Sequence, residues 1–344
     1  MRAIAFERHG GPEVLKPMVL RDPTPSNDEA LIRVLATSLN RIDAIIRRGY
    51  PGIPIKLPHV PGADIVGIIE RFGDGSSSHG EFRVGDMVLV NNVWGCGHCD
   101  YCRAGAEDHC IEWRMPGFHE WGGYGELVRV PIRALVKPPG NFSVNELAAL
   151  PLAYGVSWKA LRMAQVSENQ WVVVIGGSGS IGTALVILAK ALGARVIAVS
   201  KRGGDVLKSL GADYVVGYEV NEIMGIINER TCCGADVVID ALGYTLPMAT
   251  QLIKPGGVVV TFGILGDQPN VQLNVRGFYL RHTRMLGMHN SAIKWLRELL
   301  DFMSSRGLRP YISKVVSITE VPEMHRLMEG RGIIGKVVMV HEWG

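Results

Sequence analysis

The sequence predicts an α/β protein in which a β-rich first domain precedes a doubly wound parallel sheet. Three observations predict this. Short β-type runs broken by Gly, Pro and Asn fill the chain as far as "LVKPPGNFSVNELAAL". From about Ser167 onward, strand-length Val and Ile runs alternate with helical periods. One of those strands leads directly into a glycine-rich turn, "GSGSIG", that opens a helix.

Length and composition agree. A chain of 344 residues has room for about two domains. Its 47% hydrophobic and 20% charged residues, with 42 glycines, suit a globular chain rich in tight turns. The formal net charge of +3 is slight, and no run of Lys or Arg would track a phosphate backbone, so nucleic acid is not an expected partner. The start, "MRAIAFERHGGPEVL", has no apolar segment behind a basic head. No apolar stretch reaches the roughly 18 to 20 residues of a membrane span. A cytoplasmic protein with no membrane partner is expected.

Taken in order, "EALIRVLATSL", "ADIVGIIERFG" and "DMVLVNNVW" are the clearest strands of the first domain. "CGHCDYCRAGAEDHC" follows, with Cys96, Cys99, Cys102 and Cys110 in a C-x2-C-x2-C-x7-C pattern. In a reducing compartment such clustering favours a metal over disulfides, and two-residue gaps let one loop turn several sulfurs inward. Four thiolates saturate a tetrahedral zinc and leave no position for water or substrate, so one structural zinc per chain is expected; an iron site or an empty reduced lobe are the alternatives. Cys232 and Cys233 read as a loop before a strand rather than a redox pair.

The second domain contains "QWVVVIGG", "GTALVILAKALGA", "RVIAVS", "GDVLKSLGA", "ADVVIDALG" and "GGVVVTFGILG". Gly177, Ser178, Gly179, Ser180, Ile181 and Gly182 form a GxGxxG in the required strand–turn–helix setting. The chemistry asks for glycine at a tight turn, at the approach of backbone to a pyrophosphate, and at the helix–strand contact. The helix N-terminus then receives negative charge. At the end of the next strand, where an acid would bind the ribose of NADH, stand Ser200, Lys201 and Arg202, a hydroxyl and two cations suited to a 2′-phosphate. NADPH is therefore the expected cofactor. The tail carries an amphipathic helix, "SAIKWLRELLDFMSSRG", and a final strand, "KVVMV", whose affiliation periodicity leaves open. The expected division is 1–152, 153–290 and 291–344.

The cysteine lobe, the glycine turn, "LNRIDAIIRRGYPG", "PGADIVGIIERFGDG", "GGYGELVRV", "LGADYVV" and the terminal "GKVVMV" together resemble the medium-chain dehydrogenase/reductase superfamily along nearly the whole chain. The resemblance implies a GroES-like first domain rejoined by the tail, a Rossmann cofactor domain, an active site in the cleft between domains, a small-molecule substrate and a homodimer or homotetramer. It also implies that the cysteine lobe is the family's structural zinc loop. Leu242 and Gly243, with Phe262, Gly263 and Ile264, would flank the nicotinamide, and Tyr218 would lie near the adenosine.

The chain departs from the family's alcohol dehydrogenases at their catalytic zinc. Asn40 stands at the first ligand position, Gly62-Ala63-Asp64 replaces Gly-His-Glu, the third position falls near Leu152, and Ile42 replaces the proton-relaying hydroxyl. Without a Lewis acid, reduction of a simple carbonyl is disfavoured, while reduction of a conjugated C=C spreads charge into an enolate that hydrogen-bond donors can hold. "LNRID" resembles the zinc-independent quinone oxidoreductases and enoyl reductases. Asn40 is assigned to orienting the nicotinamide or the substrate carbonyl, or else to tying down a loop. Tyr50 is assigned to proton donation or to a cofactor contact. Trp94, Trp113, Trp121 and Trp158 are candidates for an apolar cleft or for the core. Two alternatives stand beside this expectation: an alcohol or ketone oxidoreductase with unorthodox ligands such as His59, Asp43 or Asp64, and an NADPH-binding protein without turnover.

Overall fold

The computed structural model describes residues 1–231, 233–263 and 270–343, so Cys232 and Ile264 lie outside the described residues. The chain divides into two units, 1–155 with 290–344, and 156–289.

The first unit is built on a seven-stranded sheet. Its strands run in the order Ile312–Ser317, Lys336–Val340, Glu29–Ser38, Ile65–Phe72, Met87–Val90 and Leu135–Val136, with Leu127–Pro131 also paired to Glu29–Ser38. The two tail strands pair in parallel, and Lys336–Val340 joins Glu29–Ser38 antiparallel through Val338 opposite Ser38. β-Branched residues dominate the interior: Ile32, Val34, Ile65, Ile69, Val88, Val90 and Val128 pack as one cluster. Each such side chain contributes roughly 1.5–3 kcal/mol when fully buried. The helix Arg41–Arg48 starts where the first long strand ends. Asn40 is its N-cap, the carboxylate of Asp43 accepts the Asn40 N–H at 2.8 Å, and Gly49 terminates it at φ 103°.

The second unit is a six-stranded, wholly parallel sheet ordered Tyr214–Val216, Arg195–Val199, Trp171–Ile175, Ala235–Asp240, Ile253–Thr261 and Arg284–Gly287. All five residues of Trp171–Ile175 are buried, which is why that run is continuous rather than alternating. The chain builds outward from this strand to one side and then returns to its other side. The strand order therefore switches between Trp171–Ile175 and Ala235–Asp240, and a crevice at such a switch is where an open α/β sheet takes its ligand. The helix Ser180–Ala191 packs on Trp171–Ile175 and Arg195–Val199.

The four tryptophans separate. Trp94 and Trp158 are core residues, at 5% and 4% exposure, whereas Trp113 and Trp121 are half-buried against the core of the first unit.

Candidate active site and metal centre

The lobe that follows the strand Met87–Val90 gathers its sulfurs. The four Sγ atoms of Cys96, Cys99, Cys102 and Cys110 lie within 4.8 Å of one another. Cys96 and Cys102 are 3.9 Å apart. A tetrahedral zinc with Zn–S bonds near 2.3 Å needs sulfurs about 3.8 Å apart, so the set fits that ion. Backbone N–H groups of His98 and Cys99 pull the Cys96 thiol well below its usual range, while burial pushes Cys102 up. Metal binding would deprotonate all four. Arg133 fastens the lobe by donating to the Gly95 carbonyl at 2.9 Å.

In the second unit the glycine turn sits at the sheet's switch point. Gly176 N–H and Gly177 N–H both donate to the Val199 carbonyl, at 3.1 and 3.0 Å, folding the turn over the neighbouring strand. Gly179 caps the helix and is exposed, with Ser178, Ser180 and Ile181 half-buried around it. A Cβ on Gly182 would lie 2.3 Å from the Gly176 carbonyl oxygen, so the helix approaches the turn only because that residue has no side chain. Leu242 leans over Gly176 from the far side of the switch, 3.0 Å from where a Cβ would stand. Ser200 is buried and bonds the Arg202 carbonyl at 2.8 Å; Lys201 and Arg202 are exposed, and the Lys201 ammonium lies 5.8 Å from the Tyr218 ring centre. Phe262 is buried at 6% exposure and Gly263 is exposed at φ 79°.

Sequence reasoning passed over Asp240, which shapes this site. Its buried carboxylate accepts Leu242 N–H at 2.9 Å, Gly243 N–H at 3.1 Å and the Thr245 hydroxyl at 2.5 Å, so it holds the loop after its strand in one conformation. The available signal was an acid ending an otherwise apolar strand.

The positions matched to catalytic-zinc ligands converge in the first unit, around Asp64. That carboxylate is fully buried and accepts four donors: Ser38 hydroxyl at 2.5 Å, Asn40 Nδ2 at 2.8 Å, Leu152 N–H at 2.8 Å and Lys336 Nζ at 2.9 Å. Asn40, 3% exposed, also donates to the Ser38 carbonyl at 3.1 Å and accepts from Lys336 Nζ at 2.9 Å. Both amide hydrogens of Asn40 are thus spent inside the domain. Lys336, itself fully buried, completes its set on the Leu39 carbonyl at 3.3 Å. The sequence marked Lys336 only as part of "GKVVMV", with no sign of this role, because it opens an apolar strand 296 residues from Asn40.

The other groups weighed as metal ligands are also engaged. His59 is buried and bonds the Gly117 carbonyl through Nε2 at 2.9 Å, and burial holds its imidazole below the usual range. Asp43 accepts from Asn40 N–H, Ala63 N–H and the Tyr124 hydroxyl at 2.8, 3.2 and 3.2 Å, and burial raises it to about 7. Tyr124 bonds His325 Nε2 at 3.1 Å, and His325 Nδ1 accepts from Arg47 at 3.2 Å. Because a guanidinium only donates, the His325 proton sits on Nε2 and the chain of bonds runs Arg47, His325, Tyr124, Asp43.

Beside Ala63 a glycine-rich loop closes in. Gly123 N–H donates to the Gly62 carbonyl at 2.8 Å, and Cβ atoms on Gly117 or Gly122 would come within 2.6 and 2.2 Å of Gly62 backbone. The same loop carries Phe118 and His119. Tyr50 is half-buried with its ring 4.8 Å from Phe118, and its hydroxyl bonds no described residue.

The chain matches two families, "Alcohol dehydrogenase GroES-like domain" over residues 26–140 and "Zinc-binding dehydrogenase" over residues 180–305. It is 30% identical to an alcohol dehydrogenase of Geobacillus stearothermophilus, across 98% of this chain and 99% of that one. It is 28% identical to an acryloyl-coenzyme A reductase of Metallosphaera sedula, over the same shares of the two chains. Among solved structures, an NAD-dependent alcohol dehydrogenase superposes with a TM-score of 0.91 at 31% identity, covering 99% of this chain and 100% of that one.

Proposed function

The chain belongs to the medium-chain dehydrogenase/reductase superfamily, and from that premise we propose that it is an NADPH-dependent reductase of C=C bonds conjugated to a carbonyl, in enones, quinones or enoyl thioesters, working without a catalytic metal. The observation that carries this reading is the closed set around Asp64. Where a catalytic zinc would draw on its ligands, Asn40, Ala63 and Leu152 stand instead, and the adjacent carboxylate already accepts four donors, one of them the Lys336 ammonium. A buried acid so satisfied has no unspent charge to offer a divalent ion. His59 and Asp43, the remaining acid and imidazole, are committed to the fold.

NADPH would be held at the Gly177–Gly182 turn and supplies a hydride when bound. Ser200, Lys201 and Arg202 support the choice of NADPH, because neither cation has a carboxylate partner among the described residues. Hydride addition to the β-carbon leaves an enolate, a charge that hydrogen-bond donors stabilise without a Lewis acid. Asn40 serves as a positioning residue that sets the start of Arg41–Arg48. Cys96, Cys99, Cys102 and Cys110 would hold the single structural zinc. The acryloyl-coenzyme A reductase relative supports an activated double bond as substrate. We place the enzyme in the cytosol, as a homodimer or homotetramer acting on a small molecule.

The alcohol dehydrogenase relatives favour a second reading, reduction of the carbonyl itself. Product analysis separates the two. NADPH and an α,β-unsaturated ketone give the saturated ketone on the first reading and the allylic alcohol on the second.

A further inference from the structure

We propose that His119 is the proton donor of this reduction, an inference that rests on the reading above and extends it to the second half of the reaction. Saturating a double bond takes one hydride, which the cofactor supplies, and one proton, which the protein must deliver to the α-carbon. The closed set around Asp64 has none to give: its donors are all bonded inward.

Unlike His59, His325 and His341, His119 has neither ring nitrogen hydrogen-bonded to a described residue. Its loop is pinned by backbone contacts to Gly62, the neighbour of Ala63, through Gly117, Gly122 and Gly123. The ring is half-buried, edge-on to Trp113 at 4.7 Å and tilted against Phe118 at 4.3 Å, and Phe118 in turn packs against Tyr50 at 4.8 Å. Nδ1 is buried with no partner, and Nε2 makes no hydrogen bond to the described residues. By contrast, His59 bonds the Gly117 carbonyl and His341 the Gly123 carbonyl through Nε2, and His325 is bonded through both nitrogens.

The environment also makes the imidazolium a stronger acid. Burial lowers the His119 pKa from the ordinary 6.5, Arg114 lowers it further, and Glu120 partly restores it. Glu120 is shared with Arg114 and Arg129, at 3.2 and 3.1 Å, which blunts its pull. The rings packed against it, Trp113 and Phe118, are uncharged. In the step itself the imidazolium N–H bond breaks and its electron pair stays on the ring nitrogen. The enolate pair forms the new C–H bond at the α-carbon. Solvent then returns a proton to the ring.

The test uses the full-length enzyme with NADPH and but-3-en-2-one. Wild type is expected to form the saturated ketone, with kcat falling as pH rises through a group below 6.5. His119→Gln is expected to lower kcat about 100-fold, the lower end of general-acid effects, to shift KM for either substrate by less than about threefold, and to lose the pH limb. Tyr50→Phe is expected to keep that limb. Circular dichroism and zinc content verify folding of each variant. In a measurement that needs no turnover, the wild-type His119 ring resonances should shift when butan-2-one is added. A variant that retains both rate and limb, a limb lost in Tyr50→Phe instead, or a ring unmoved by the ketone overturns the assignment while C=C reduction stands. A wild-type enzyme that yields no saturated ketone overturns both.

Discussion

Lys336 and Asp64 face each other at 2.9 Å with neither side chain exposed to water. Removing one member of such a pair leaves an uncompensated charge where solvent cannot reach it, a loss of roughly 3–5 kcal/mol. Lys336→Met is therefore expected to lower the denaturation midpoint sharply, while a double Lys336→Met, Asp64→Asn variant recovers much of the loss; equal loss in both would show that the pair is not coupled. At the cofactor site the charges are exposed and the expected effect is one of selectivity. Lys201→Ala and Arg202→Ala should each raise KM for NADPH about tenfold, the worth of one charge-assisted hydrogen bond, and leave KM for NADH unchanged. Asn40 was visible in the sequence because it occupies a motif position. Lys336 was visible only as part of the terminal "GKVVMV", and its role was not, since a lysine ahead of "VVMV" reads as an exposed strand start until the fold carries it across to Asn40.

Two elements carry the recognisable chemistry, and each was legible because its partners are close in sequence. The sulfurs of Cys96 to Cys110 meet within one lobe, so spacing alone indicated convergence. Gly182 lies five residues beyond Gly177, and its role follows from the helix that begins between them. A methyl group there would collide with backbone on both Gly176 and Gly177, at 2.3 and 2.5 Å. Gly182→Ala is accordingly expected to abolish NADPH binding, measured by fluorescence titration, with thermal stability reduced as well; undiminished binding would place the dinucleotide elsewhere. The Asp240 loop was less legible. The three hydrogen bonds it accepts from its own loop are local, yet the aspartate resembles any polar residue ending a strand.

Across the whole molecule, long-range pairings join what the sequence presents as separate segments. The tail returns to the first sheet beside Glu29–Ser38, and its helix Val321–Glu329 brings His325 to Tyr124. Periodicity has no access to either pairing, because register between distant strands depends on the folded interior. One consequence is a specific pH dependence of stability. Burial, reinforced by Arg47, holds folded His325 near 3, so between there and 6.5 the unfolded chain binds the extra proton and stability falls as pH falls. Asp43, raised from 3.8 to about 7, acts oppositely: the folded state holds the proton across that window, and stability falls as pH rises. The two partly offset each other in the wild type. His325→Gln removes only the first, so its Tm relative to wild type should drop progressively from about pH 5 to about pH 7; a constant difference would show that His325 does not titrate on unfolding.

Reduction without a catalytic metal makes a definite demand on the zinc content of the fully active enzyme. One zinc per chain, with NADPH-dependent enone reduction surviving a chelator that leaves that zinc in place, is the predicted result. Two zincs per chain, with activity lost as the second is removed and the fold retained, would contradict it.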